Sequence, residues 1–362
     1  LARDTRLSKE AFATSTPSSH PETQEITSDV VVNNRVANKF IERLREGVLS
    51  RTYPVDYGKS YFEVCKDFVD FTIKNSKSLD IICRPWAPEP ESCSQHDVEC
   101  LPSWILTLNR APFGSTPNDG RYIRINADPL VGQPDERRYS ATFDTHSSHR
   151  IDTDSNSSSM FVEGFILDKI NMTETEAIGG IIPGKWPVFG GWKDRTAAPP
   201  EEFWRTLIAD RSPTGENPPS YFARACVYAF GRGVPGEALN IDQVITSGIG
   251  SIGEEFLRRV QHVVWGRKLM RTKHYKLLGL APEIGQKGDS IAILYGCSVP
   301  VVLRRKIGSD YYTLVGECYV HGMMDGEAFD FQKSAQTRAE NARNNGLAIP
   351  DLCMTKQTFE LR

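Results

Sequence analysis

Long apolar runs are missing from this chain. The longest, Ile291 to Leu303, is broken by Gly296 and Pro300 and is too short to span a bilayer. Nothing near Leu1 resembles the hydrophobic segment of a secretory signal, because residues 1–29 are mostly Ser, Thr, Pro and charge. Cysteine is sparse. Eight of them (Cys65, Cys83, Cys93, Cys100, Cys226, Cys297, Cys318 and Cys353) are scattered over 362 residues, which excludes a dense disulfide scaffold and fits a reducing cytoplasm. Neither charge dominates: 43 Lys and Arg stand against 46 Asp and Glu, for a net charge of -3, and this argues against a dedicated polybasic binder. No internal repeat is visible.

What is present suffices for a core. With 39% hydrophobic and 25% charged residues the chain is neither a disordered polyelectrolyte nor a coiled coil. At roughly 150 residues per domain the length suits about two folded units. The chain begins with Leu1, not Met, as a fragment would. The expected fold is α+β: mixed helices and short strands with a C-terminal antiparallel curled sheet or small β-barrel. Its expected division is a disordered tail over 1–34, an α+β scaffold with long polar loops over 35–270, a small antiparallel β domain over 271–331, and a C-terminal tail over 332–362.

Local patterns place the elements. Val36, Phe40, Ile41, Leu44 and Val48 recur at helical spacing. Ser60 followed by Glu63 is a capping box, opening a helix that ends near Asn75. Short strands are expected at Leu79–Cys83, Tyr122–Ile125, Tyr139–Phe143 and Met160–Lys169. Pro199-Pro200 and two acids begin a helix over 201–210, and two amphipathic helices follow at Tyr221–Phe230 and Glu254–Val264. Four β-rich runs, Tyr275–Leu280, Ser290–Tyr295, Val299–Arg305 and Tyr311–Val320, are joined by Gly-containing turns and read as hairpins. Residues 332–346 can form a helix, and Gln357–Leu361 can return as an edge strand.

Chemical motifs are weak. Gly248, Gly250 and Gly253 fit the dinucleotide pattern, but Asn240–Thr246 is a poor strand and residues 258–276 supply no acid for a ribose. Gly58-Lys59-Ser60 ends like a phosphate loop, yet Tyr53 stands where its first glycine belongs. Asp152, Asp154, Asn156 and Glu163 fall at calcium-loop positions, with Ser157 in place of the turn glycine. Cys83, Cys93, His96 and Cys100 lack the paired spacing of a zinc knuckle. Cys318 and His321, three apart on one strand, would face opposite ways. No catalytic, cofactor-binding or metal-binding residue is therefore assigned. One electrostatic feature remains: Arg258, Arg259, Arg267, Lys268, Arg271, Lys273 and Lys276 form an acid-free stripe over 258–276, a candidate surface for nucleic acid or anionic headgroups.

Four segments in order resemble the fungal heterokaryon-incompatibility (HET) proteins, in the region that follows their HET domain. Val55-Asp56-Tyr57-Gly58-Lys59-Ser60 looks like their "DYSKS" opening, with Gly58 for the usual Ser. Leu101-Pro102-Ser103-Trp104 looks like "LPSW", and Phe203 to Asp210 looks like "FWRTLIAD". Gly279-Leu280-Ala281-Pro282 through Gly288-Asp289, Val299-Pro300, Leu303-Arg304 and Leu314 to Ala328 looks like "GLGP…GD…VP…LR…LVGECYVHGMMDGEA". The motifs of the HET effector domain, similar to "YxALSYxWG" and "CINQ", do not occur. The resemblance thus implies a part in nonself recognition and control of cell death through a protein partner, either an incompatibility partner or an attached HET effector domain. It carries over no catalytic residue, so the chain is not expected to be an enzyme, and nucleic acid is the less expected partner.

Overall fold

The computed structural model describes residues 58–89 and 101–362, apart from 117–119, 135, 144, 146–147, 153–157 and 346–353. The helix expected over 36–48 lies outside the described residues. In chain order the elements are α1 (Tyr61–Ser76), β1 (Phe113–Ser115), β2 (Tyr122–Arg124), β3 (His149–Ile151), β4 (Met160–Glu176), β5 (Ile181–Ile182), α2 (Trp186–Phe189), α3 (Glu201–Leu207) and α4 (Phe222–Gly231). There follow β6 (Leu239–Asn240), α5 (Ile241–Thr246), α6 (Ser251–Val264), β7 (Arg267–Thr272), β8 (Leu278–Pro282), β9 (Ser290–Leu294), β10 (Val301–Arg305), β11 (Tyr312–Glu317), β12 (Tyr319–Val320), α7 (Glu327–Asn344) and β13 (Gln357–Leu361).

The capping box forms as read. The Ser60 hydroxyl accepts the Glu63 N–H, and the Glu63 carboxylate accepts the Ser60 N–H at 2.8 Å. Cys65, Val69 and Ile73 then recur on one buried face of α1. Leu79–Cys83 is not a strand. Residues 80–83 form a 3₁₀ turn, because Asp80 is drawn inward to accept the Ser298 N–H at 2.7 Å while the apolar neighbours pack on all sides. Tyr139–Phe143 is not a strand either. Its backbone donors go to two separate segments, Ser140 to Met324 and Ala141 to Ser298, and Phe143 sits at φ 49°, which ends extended structure.

Five strands close into a ring. β4 pairs antiparallel with β13, β13 pairs parallel with β11 at Tyr312 and Leu361, β11 and β10 pair antiparallel, as do β10 and β9, and β9 returns antiparallel to β4. β4 serves both sides of the closure because it is 17 residues long and bends. Its register shifts between Ile166 and Asp168, and Gly164 lies so close to the Ile293 carbonyl that a Cβ would clash. The second half of β4 carries β7, then β8, then β12. β13 is consequently an interior strand, paired on both edges. Strands β4 and β13 come from outside 271–331, and the expected division at 270/271 runs through β7.

Both faces of this sheet are covered, which is why Ser290–Leu294 reads as an unbroken buried run. Ala292, Leu294, Leu303, Leu314 and Phe359 share one core with Val69, Trp104, Phe203 and Phe256 of the helical layer. Ile291, Ile293, Val302 and Val315 face a second core with Phe165, Met270 and Ala335 of α7. Ser103 clasps the weakest seam of the ring: its hydroxyl accepts the Leu314 N–H of β11 at 2.8 Å and donates to the Arg362 carbonyl just after β13. Trp104, wholly buried beside it, donates its indole N–H to the Ser158 carbonyl at 3.0 Å.

Candidate functional site

The segments that carry the resemblance meet where the sheet joins the helical layer. α3 stops at Leu207, three residues before the expected end, because Ala209 and Asp210 both adopt left-handed backbone (φ 50° and 51°). That reversal is held from both sides. Tyr139 donates its hydroxyl to the Ala209 carbonyl, and Arg205 donates to the Asp210 carboxylate. Arg211, next along, donates to Asp325 Oδ2 at 2.6 Å and to the Arg138 carbonyl at 3.0 Å, and its guanidinium lies over the Tyr139 ring. Asp325 belongs to the Met323-Met324-Asp325-Gly326 turn before α7, so this pair ties the "FWRTLIAD" segment to the end of the "ECYVHGMMDGEA" segment.

A second clasp lies in the same junction. Glu317, at the end of β11, accepts from Arg267 at 2.6 Å and from the Leu130 and Val131 N–H groups at 2.7 and 3.2 Å. Arg267 also donates to the Val263 and Asp128 carbonyls. Burial pushes the Glu317 carboxyl up from its ordinary value, and the Arg267 charge opposes that push. A cleft opens above this pair, bordered by Arg110, Asn126, Pro282, Glu283 and Gly316.

Each motif candidate has a definite place. Gly248 and Gly250 make the turn between α5 and α6 with positive φ (80° and 84°), and helix, not strand, precedes them, so the dinucleotide geometry fails. Lys59 pairs with Asp67 and Ser60 caps α1. Cys93, His96, Cys100, Asp154, Asn156 and Ser157 lie outside the described residues; among the described ones no cluster of three metal-ligating side chains occurs. Cys318 and His321 do not share a strand, since Cys318 is the break between β11 and β12 and donates its N–H to Pro300. Burial pushes the Cys318 and Cys226 thiols up, away from reactive thiolate. Cys83 is pushed up by the Cys297 sulfur 3.8 Å away and by burial. His321 Nδ1 meets the Tyr319 hydroxyl at 3.1 Å.

The basic stripe is not one face. Arg259 is buried and donates to the Arg211 carbonyl, with burial bringing its pKa down to about 10. Arg267 is buried against Glu317. Arg258 pairs with Glu254, Lys268 with Glu176, and Arg271 with Glu202. Adjacent cations on a helix and then a strand alternate between inside and outside, which charge counting alone does not reveal. Sequence reading had no signal for the two clasps either, because Arg211–Asp325 and Arg267–Glu317 join positions far apart in the chain.

A small barrel of mixed pairing, clasped to a helical layer by one buried arginine–carboxylate pair and one whose carboxylate is partly exposed, is thus the architecture. Residues 247–337 match the Het-6 beta-barrel domain. Heterokaryon incompatibility protein 6, OR allele, of Neurospora crassa is 33% identical over 79 residues, or 21% of this chain and 11% of that protein. The resemblance to the HET proteins in the region beyond their HET domain is therefore supported by two findings, while the matched stretch spans only about a tenth of the relative's length. No solved structure matches the chain. Among the described residues, no helix is long and apolar enough to cross a membrane.

Proposed function

We propose that this chain is the recognition or regulatory region of a heterokaryon-incompatibility protein, acting in the cytoplasm through protein–protein contacts in nonself recognition and the control of cell death. The observation that carries the reading is the match of 247–337 to the Het-6 barrel. The junction supports it as a physical device. Its polar groups are spent on holding two layers together, leaving the surface loops free to vary on a fixed core. In this reading the chain does no chemistry of its own and binds either an incompatibility partner or an attached HET effector domain.

The test is a fusion assay. Strains expressing the chain, or the chain joined to a HET effector domain, are confronted with strains of differing incompatibility alleles, and death of fused cells is scored. Allele-dependent death that is lost when Arg211→Glu breaks the clasp is the expected result. Death indifferent to the chain's presence would sink the proposal. Turnover of nicotinamide nucleotide by the purified chain would overturn the non-enzymatic part.

A further inference from the structure

The far turns of the barrel gather positive charge from segments that are separate in the sequence. Lys169 of β4 stands opposite Ser290 of β9, and Ser290 opposite Leu303 of β10. Lys287, in the turn before β9, and Lys306, in the turn after β10, therefore project past the same edge. Arg304 joins those turns by donating to Asp289 and to the Ile284 carbonyl. The Lys273 N–H donates to the Lys169 carbonyl at 2.8 Å, which brings the 273–276 turn, with Lys273 and Lys276, to the same place. Arg338 of α7 reaches it through the Tyr275 hydroxyl at 3.2 Å.

These five lysines are exposed and free of ion pairs, although the Lys276 ammonium donates to the Lys273 carbonyl at 2.7 Å. Among the described residues, ion pairs are made by lysines elsewhere, such as Lys74, Lys268 and Lys356, and by none of the five here. Three nearby carboxylates are committed, while Glu283 of the β8–β9 turn is exposed. Asp168 is buried and accepts the Lys169, His274 and Tyr275 N–H groups and the His274 ring, Asp289 holds Arg304, and Asp310 holds Arg305. Beside the lysines stand two aliphatic side chains in water, Ile307 at 98% exposure on the β10–β11 turn and Ile284 at 51%. The aromatic faces here are covered: Tyr275 meets Phe331 edge-on at 5.0 Å, and Arg362 lies over Tyr311 at 4.7 Å.

We propose that this edge of the barrel is a peripheral docking surface for an anionic phospholipid bilayer. Lysines from separate turns give a broad positive front for lipid phosphates, and Ile307 on a projecting turn can enter the headgroup layer. A nucleic-acid strand would call for an open aromatic platform and a groove along its backbone, and the covered tyrosines do not supply one.

The test is flotation of the full 362-residue chain with phosphatidylcholine vesicles, with and without phosphatidylserine. Binding only to the phosphatidylserine vesicles, weakened by added salt, is expected. Lys273→Glu with Lys276→Glu should lower it by about thirtyfold, at about tenfold per 1.4 kcal/mol and about 1 kcal/mol per lysine. Ile307→Asp should lower it further, and Arg224→Glu, at an exposed position of α4, should leave it unchanged. Circular dichroism melts confirm that each variant is folded. Absence of flotation overturns the proposal, as does binding that survives the double reversal. Retention on a single-stranded oligonucleotide without flotation overturns it too and reassigns the surface.

Discussion

The junction and the outer turns of the sheet treat positive charge in opposite ways. At the junction, Arg211 and Arg267 are drawn out of water, and each meets a carboxylate and several carbonyls. On the outer turns Lys169, Lys273, Lys276 and Lys287 meet no carboxylate, and Lys276 reaches one carbonyl, that of Lys273 in its own turn. The difference is one of solvation: a guanidinium withdrawn from water is strongly disfavoured without a partner, whereas a hydrated ammonium needs nothing from the protein. The stretch 258–276 contributes to both regions, so its charges cannot be summed as one surface.

The sharpest way to break this contrast is to remove a junction partner. Glu317→Ala leaves Arg267 buried without its carboxylate and two N–H groups unsatisfied, and should cost about 3–5 kcal/mol in denaturant unfolding. Replacing both, with Arg267→Met and Glu317→Leu, should recover most of that loss, since an apolar pair of similar volume avoids the stranded charge. A single-variant loss near zero would mean that the junction does not depend on this clasp.

Smaller effects belong to the seam and the turns. Ser103→Ala strips the acceptor from the Leu314 N–H and should cost about 1–3 kcal/mol, read as a shifted urea midpoint with unchanged slope. Asp168 tests the edge under the lysines. Burial works against its charge, but the Tyr275 and Lys169 N–H groups, Thr272 and His274 outweigh this and hold the carboxyl below its ordinary value. Its stabilisation is present above the ordinary carboxylate range and is lost as pH falls below that range towards the folded-state value. Urea midpoints measured against pH should therefore fall less steeply on the acid side in Asp168→Asn. Least of all, Lys273→Glu with Lys276→Glu should change stability by no more than about 0.5 kcal/mol, because the side chains are exposed and make only the solvent-facing bond from Lys276 to the Lys273 carbonyl.

Local signals read well where local physics decided the structure. Ser60 and Glu63 cap α1 as their spacing demanded, and β9, β10 and β11 follow their apolar runs and glycine turns. Legibility ended where a distant residue intervened. Leu79–Cys83 has the composition of a strand, but the Asp80 bond to Ser298 winds it into a 3₁₀ turn. Met160–Lys169 was readable as a strand, yet its polar continuation through Glu176 is held extended by β7, a hundred residues away. Gln357–Leu361 looked like an edge because its parallel neighbour β11 cannot be inferred from its own sequence. The candidate site was visible as motifs but not as pairs, since Arg211 with Asp325 and Arg267 with Glu317 are products of the fold.

The order in which the ring is assembled has a consequence for its birth. β4 leaves the ribosome before every other strand of the ring, and its neighbour β13 emerges almost 200 residues later. At typical synthesis rates of about 5–20 residues per second, that interval is on the order of 10 to 40 s. Throughout it, the first half of β4 presents an unsatisfied edge and the apolar side chains Met160, Val162 and Phe165. Such a nascent strand is open to pairing with another polypeptide, so shielding by chaperones during translation would be set by the position of β13, not by the stability of the finished barrel.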